Sequence, residues 1–324
     1  MTNTPKAEIL ISKGGFWFPE AISTQAHQVD QIFHFILWAS IILFLILTVV
    51  VGYFLYKYKR TPENTYAKKH VTHNNVLEIT WTVIPLVLVL FIFYWGYSGY
   101  LKMTIPPANA SEIRVTGRKW MWQFDYPNGN KSIGELVVPV HTPIRLVMSS
   151  EDVLHSFFVP NFRVKRDLVP NRYTRIWFEA KRTGNFQIFC AEFCGDGHSD
   201  MMGVVRVVTA SEYQKWLKES GAAASEGVPL DQLGEKLYTS KGCNACHSTD
   251  GSAKVGPSWK GIYGATHTLA SGQTVKVDDN YIRESMVDPK AKVTAGFQPV
   301  MPPFAGLLND REIAGLIEYI KKLK

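Results

Sequence analysis

With 324 residues, 46% of them apolar and only 19% charged, the chain is long enough for two or three folded domains and too hydrophobic for a disordered one. Its net charge of +7 raises nucleic acid as a partner, but Lys57, Lys59, Arg60, Lys68 and Lys69, against the single Glu63, carry four of those seven units between Lys57 and Leu77. The excess belongs to one short loop, which excludes a nucleic-acid-binding face, and all four cysteines fall in two metal-type signatures, which excludes a disulfide framework.

Residues 1–31 read as an external tail, with Lys6 and Lys13 against Glu8, Glu20 and Asp30. They contain no apolar h-region, so no cleavable signal peptide is expected. Residues 32–104 read as a two-helix membrane anchor: Phe35–Tyr56 and Ile79–Leu101 are each free of charge and long enough to cross a hydrocarbon core. The basic loop between them is expected on the cytoplasmic side by the positive-inside rule. Both termini, and everything after the second helix, then face the periplasm or exterior of a prokaryotic inner (cell) membrane. Glu78 stands just before the second span, where an acid favours the helix N-terminus.

Ile105-Pro-Pro-Ala-Asn109 breaks the helical pattern. Short alternating runs then begin, among them Trp120, Trp122, Phe124 and Tyr126, and later Ile144, Leu146 and Met148, with turn signals between them. They predict an antiparallel sandwich over residues 105–209. A linker is expected over 210–228, where Glu219–Gly227 is small and polar. Residues 229–324 read as a helical domain. Leu230–Thr239 has helical spacing, and Asn309-Asp-Arg-Glu312 forms a capping box before Ile313, Leu316, Ile317 and Ile320.

Two loops carry the chemistry. In Cys190-Ala-Glu-Phe-Cys194-Gly-Asp-Gly-His198-Ser-Asp-Met201, two thiols, an imidazole and a thioether share one segment, with Gly195 and Gly197 to turn it. His155 is a second imidazole candidate upstream. Zinc accepts cysteine and histidine, but the thioether of Met201 favours copper. In Cys243-Asn-Ala-Cys246-His247 the spacing is that of c-type haem attachment, with His247 on the iron. Met301, followed by Pro302-Pro303, is the expected second axial ligand. Met286 lies inside a helical run and reads as packing. Methionine opposite histidine suits an electron donor, since it raises the iron potential.

From Phe16 to Val208 the sequence resembles subunit II of haem-copper cytochrome c oxidases. With Gly256-Pro257, the haem signature and the last helix, the whole resembles the caa-type subunit II. The resemblance implies a multidomain protein: two transmembrane helices, a cupredoxin-like β-sandwich with a binuclear copper centre (CuA), and an all-α class I cytochrome c domain. It implies copper ligands at His155, Cys190, Cys194, His198 and Met201, the backbone carbonyl of Glu192 as a further ligand, and a magnesium or manganese site shared through the Glu192 side chain. It also implies electron entry at Trp120, a proton-path entrance at Glu78, and a carbonyl of Pro257 that orients His247. The implied partners are the catalytic subunit I, other oxidase subunits and an external electron donor. The implied activity is that of a proton-translocating cytochrome c oxidase complex, because the chain alone holds no complete oxygen-reducing site.

Arg118 and Lys119 depart from the family's less basic neighbours of the tryptophan, which disfavours docking of a basic soluble cytochrome. Three rivals are set aside. A membrane-bound copper chaperone lacks the close His198 and Met201 and a second span, a nitrous-oxide reductase requires a further copper domain, and a quinol-oxidase scaffold lacks the copper ligands.

Overall fold

The computed structural model describes residues 14–62, 65–66, 71–219 and 227–324. The first thirteen residues, Glu63, Lys68 and Lys69 of the basic loop, and residues 220–226 of the linker run lie outside that range. The described chain divides into a two-helix unit, residues 25–105, and a second unit made of residues up to Thr24 and from Pro106 onward.

In the first unit α1 (Ala26–Lys57) and α2 (Asn75–Thr104) leave their apolar side chains uncovered, Phe44 at 66% and Leu55 at 73% exposure among them. Both are long enough and apolar enough to cross a membrane, with their few charged residues near the ends, and their uncovered apolar sides suit a lipid surrounding, as a membrane anchor requires. Phe35 packs edge-on against Phe91 and Trp95, joining the pair.

The second unit begins with ten strands in chain order: β1 (Ser111–Arg118), β2 (Met121–Asp125), β3 (Lys131–Ile133), β4 (Glu135–Pro139), β5 (Pro143–Ser150), β6 (His155–Val159), β7 (Val164–Leu168), β8 (Thr174–Glu179), β9 (Gly184–Cys190) and β10 (Met202–Val208). They form two five-stranded sheets, ordered β3-β2-β1-β5-β8 and β4-β10-β9-β6-β7. Alternation puts every second side chain between the sheets, where Trp122, Phe124, Phe157, Phe162, Phe178 and Phe186 are buried.

The expectation of a wholly antiparallel sandwich is corrected at two places: β1 runs parallel to β5 and β4 parallel to β10. The chain changes sheet after β3 and again after β4. The strands in each parallel pair are therefore joined by crossovers rather than hairpins, which is what parallel pairing requires.

Two segments outside the strands are annexed to the sandwich. Part of the expected free tail is a strap: Ile22 N donates to Asn161 O (2.8 Å), Lys181 N to Ile22 O (2.8 Å) and Ser23 Oγ to Phe162 O (2.7 Å). The first part of the expected linker is α3 (Ala210–Glu219), whose Tyr213, Trp216 and Leu217 pack on the sandwich core. Asn130 Nδ2 donates to Leu217 O at 2.6 Å.

The C-terminal domain holds α4 (Leu230–Ser240), the single turn α5 (Cys243–Cys246), α6 (Asp279–Val287) and α7 (Asp310–Lys322). A short hairpin, β11 (Thr266–Thr268) with β12 (Thr274–Lys276), adds to the expected helices. α4 crosses α7 so closely that a Cβ at Gly234 would run into the Gly315 carbonyl, so glycine is required for the helices to meet. The capping box is formed in full, Asn309 Oδ1 accepting from Glu312 N and Glu312 Oε2 from Asn309 N, both at 2.9 Å. Replacing Asn309 with alanine should destabilise this domain by about 1 kcal/mol and replacement with serine by much less. Hydrogen exchange in the first turn of α7 checks this; equal protection in both variants would contradict it.

Candidate metal and haem centres

β9 and β10 are antiparallel neighbours inside their sheet, Phe189 opposite Met202, so the loop between them leaves one end of the sheet and returns to it. That brings Cys190, Cys194, His198 and Met201 together. β6 lies against β9 on the other side, which brings His155 to the same place.

Cys190 Sγ lies 3.8 Å from Cys194 Sγ and 3.3 Å from the Glu192 carbonyl. Cys194 Sγ lies 3.5 Å from His198 Nδ1 and 3.8 Å from Met201 Sδ. His155 Nδ1 is 4.0 Å from Cys190 Sγ, and the donor atoms of His155, Cys190 and Cys194 all fall within 4.8 Å of one another. Thus every residue expected at the copper site converges there, including the predicted main-chain oxygen.

Ionising both thiols would require a cation beside them. Burial opposes ionisation of both thiols, but hydrogen bonds with His155 and nearby backbone hold Cys190 below the usual thiol range. Cys194 is pushed well above it, first by burial and then by Cys190 beside it. Two thiolates this close in a buried site need positive charge between them, and soft sulfur with imidazole suits copper.

Asp152 is a residue that sequence reasoning passed over. Its Oδ1 takes His155 Nε2 at 2.8 Å and its Oδ2 takes Lys119 N at 2.7 Å. Burial would raise its carboxyl, yet the hydrogen bonds from His155, Lys119 N and Val153 N prevail and hold it at about 2. An ionised carboxylate on Nε2 leaves Nδ1 facing the sulfurs, the outer-shell orientation typical of metal-bound histidine. The available signal was the aspartate three residues before His155.

Trp120 is 7% exposed and lies flat against the loop. Its Nε1 donates to Cys194 O at 3.2 Å, and a Cβ at Gly197 would stand 2.5 Å from its Cδ2. Gly195, at φ +115°, serves the expected sharp turn, whereas Gly197 is required by the indole. Trp122 instead fills the core beside His155 and Phe157. Glu192 turns its carboxylate outward to Lys165 Nζ at 3.4 Å. Glu78 caps α2: its Oε1 accepts from Asn74 N while Asn74 Oδ1 accepts from Leu77 N, both at 3.2 Å.

In the C-terminal domain one turn carries both Cys243 and Cys246, and His247 N donates back to Cys243 O at 2.9 Å. The three side chains line an apolar cavity shared with Met286 and Met301. His247 Nδ1 pairs with Pro257 O at 2.8 Å, which leaves Nε2 for iron, and burial keeps the imidazole neutral. Two thiols on one turn, a neutral oriented imidazole and a thioether on an apolar cavity fit a covalently held haem. Met286 is 5% exposed within α6, and its carbonyl accepts from Phe304 N, while Met301 lies in a segment without regular secondary structure. Trp120, which packs on the metal loop, completes the wall of this same cavity together with Lys119 and Met121.

A Cβ at Gly256 would lie 2.6 Å from His247 Cε1. Gly256→Ala should therefore displace the imidazole and alter the haem absorbance while leaving copper content unchanged. An unaltered spectrum would contradict the packing.

The comparisons with known proteins agree with these features. Family models match in three consecutive parts: cytochrome c oxidase subunit II, transmembrane domain, over residues 12–97; its periplasmic domain over 131–208; and cytochrome c over 232–324. The chain is 30% identical to cytochrome c oxidase subunit 2 of Alkalihalophilus pseudofirmus, over 94% of this chain and 90% of that one. It is 27% identical to the Synechocystis subunit 2, over 65% and 78%. Among solved structures, the periplasmic domain of subunit II of cytochrome oxidase from Bradyrhizobium japonicum matches at 32% identity and a TM-score of 0.35, over 36% of this chain and 96% of that one. With two apolar membrane helices, a metal-loop sandwich and a haem-type domain joined in this order, the chain belongs to the cytochrome c oxidase subunit II family and carries a cytochrome c domain behind its periplasmic domain.

Proposed function

We propose that this subunit is the electron entry of its oxidase: electrons pass from a c-type haem to a binuclear copper centre and on to haem a of the catalytic subunit I, which reduces dioxygen. The observation that carries the proposal is that Trp120 forms part of the haem cavity wall and also hydrogen-bonds the copper loop at Cys194 O. Tunnelling falls steeply with distance, so one buried ring in contact with both sites is what a short path requires.

The residues divide the work. Cys243 and Cys246 would hold the haem, with His247 and Met301 on its iron. His155, Cys190, Cys194, His198, Met201 and the Glu192 carbonyl would hold the two coppers. Such a centre supplies one-electron exchange with little rearrangement, and the chain's part is to keep its ligands in place through Asp152 and the tight loop. The Glu192 carboxylate would contribute to a magnesium or manganese site shared with subunit I. The metal-bearing domains and both termini would face the periplasm, where an external cytochrome or membrane complex delivers electrons.

Replacing Cys243 and Cys246 together by alanine should prevent haem attachment and cut electron transfer from the native donor, with copper still assembled and reducible by small mediators. An unchanged donor rate in the haem-free complex would overturn the proposal. For Glu78, the capping geometry alone explains an acid at that position. A proton-entrance role predicts that Glu78→Gln slows turnover while the copper and haem spectra stay unchanged. Unaltered turnover across pH would leave only the cap.

A further inference from the structure

β3 is the edge strand of its sheet and only three residues long. Side chains at such an edge ordinarily meet water, yet Ile133 at its end is only 4% exposed. It is buried by the C-terminal domain: Ile133 belongs to the same apolar cluster as Leu237, Trp259, Met286 and Leu316, and Met121 of the neighbouring strand packs against that cluster too. The contact is at the haem-bearing turn itself, since a Cβ at Gly242, the residue before Cys243, would lie 3.4 Å from Ile133 Cγ2. From the other side Cys246, Val255 and Val300 pack against the sandwich's own cluster.

A separate feature places the tether beside this contact. Asn130, three residues before Ile133, holds the end of α3 through Leu217 O. Only residues 220–229 then separate α3 from α4. A tether this short, rooted beside the contact, keeps the C-terminal domain at high effective concentration over it. The charged residues flanking Ile133 in the chain are paired within the sandwich, Lys131 with Asp125 and Glu135 with Arg206.

We propose that Ile133, seconded by Met121, is the seat on which the chain's own C-terminal domain docks, an apolar contact that keeps the domain's cavity against Trp120 without charge steering. The proposal rests on the electron-entry reading above and adds to it the residue that positions the donor. Ile133 is a positioning residue: it acts through the turn before Cys243, on which it packs. Its apolar surface would bury against the turn before Cys243, and a charge placed there must be desolvated for the domain to dock, which shifts the population toward the undocked state.

The test uses the purified oxidase complex with Ile133→Lys, Ile133→Thr and Ile133→Val. Two readouts are followed: the rate of copper reduction after photoreduction of the haem, and the enhancement of copper spin relaxation by the haem, which reports their distance and not turnover. Ile133→Lys should slow the transfer by about tenfold or more and weaken the relaxation effect. Ile133→Thr, which keeps the β-branched shape, should fall between, and Ile133→Val should match the parent, with haem and copper content full throughout. If Ile133→Lys fails to assemble, the Thr variant decides. Parent-like rate and relaxation in a fully loaded Lys or Thr variant overturn the seat while leaving the electron-entry reading intact. Absence of haem-to-copper transfer in the parent complex would overturn that reading as well.

Discussion

The packing of the Trp120 indole against the metal loop is the contact on which the rest of the soluble part depends. The ring fits only because residue 197 has no side chain, and its N–H fixes the Cys194 carbonyl, so the second thiol is held by the same contact that closes the loop. The Lys119 backbone beside it donates to Asp152, and Asp152 in turn orients His155. One short segment between β1 and β2 therefore fixes ligands on both sides of the site. The remaining face of Trp120 is left to the haem cavity.

This arrangement explains why a tethered donor suits the chain. The sandwich carries more basic than acidic residues, and Lys119 stands beside the tryptophan while Arg118 before it is paired with Glu151. On the proposed reading, a net-positive domain offers a basic soluble cytochrome no electrostatic attraction. A domain joined by a short tether needs no electrostatic attraction, because its effective concentration replaces steering. An apolar contact then suffices to hold it, and such a contact keeps its strength as ionic strength rises.

Much of the chemistry was legible in the sequence because it is local. The loop from Cys190 to Met201 and the turn from Cys243 to His247 hold most of their donors within a few residues, so spacing alone reveals them. The uncharged spans and the Asn309 capping box are equally local. What was hidden depends on partners far along the chain. The parallel pairing of β1 with β5 follows from a crossover that alternation does not encode. The strap at Ile22 is held by Asn161 and Lys181, and α3 carries apolar Tyr213, Trp216 and Leu217 in a segment that otherwise looks like linker. Ile133 looks like an ordinary edge residue until the domain beyond the linker covers it.

The central claim is that electrons reach the copper centre from the haem of the same chain through Trp120. Photoreducing the haem in the intact complex and following both absorbances in the parent and in Trp120→Phe tests it most directly. Copper is expected to be reduced at the rate at which the haem is reoxidised, and Trp120→Phe is expected to slow both together with haem and copper content full. Haem reoxidation without copper reduction, or equal rates with and without the indole, would contradict it.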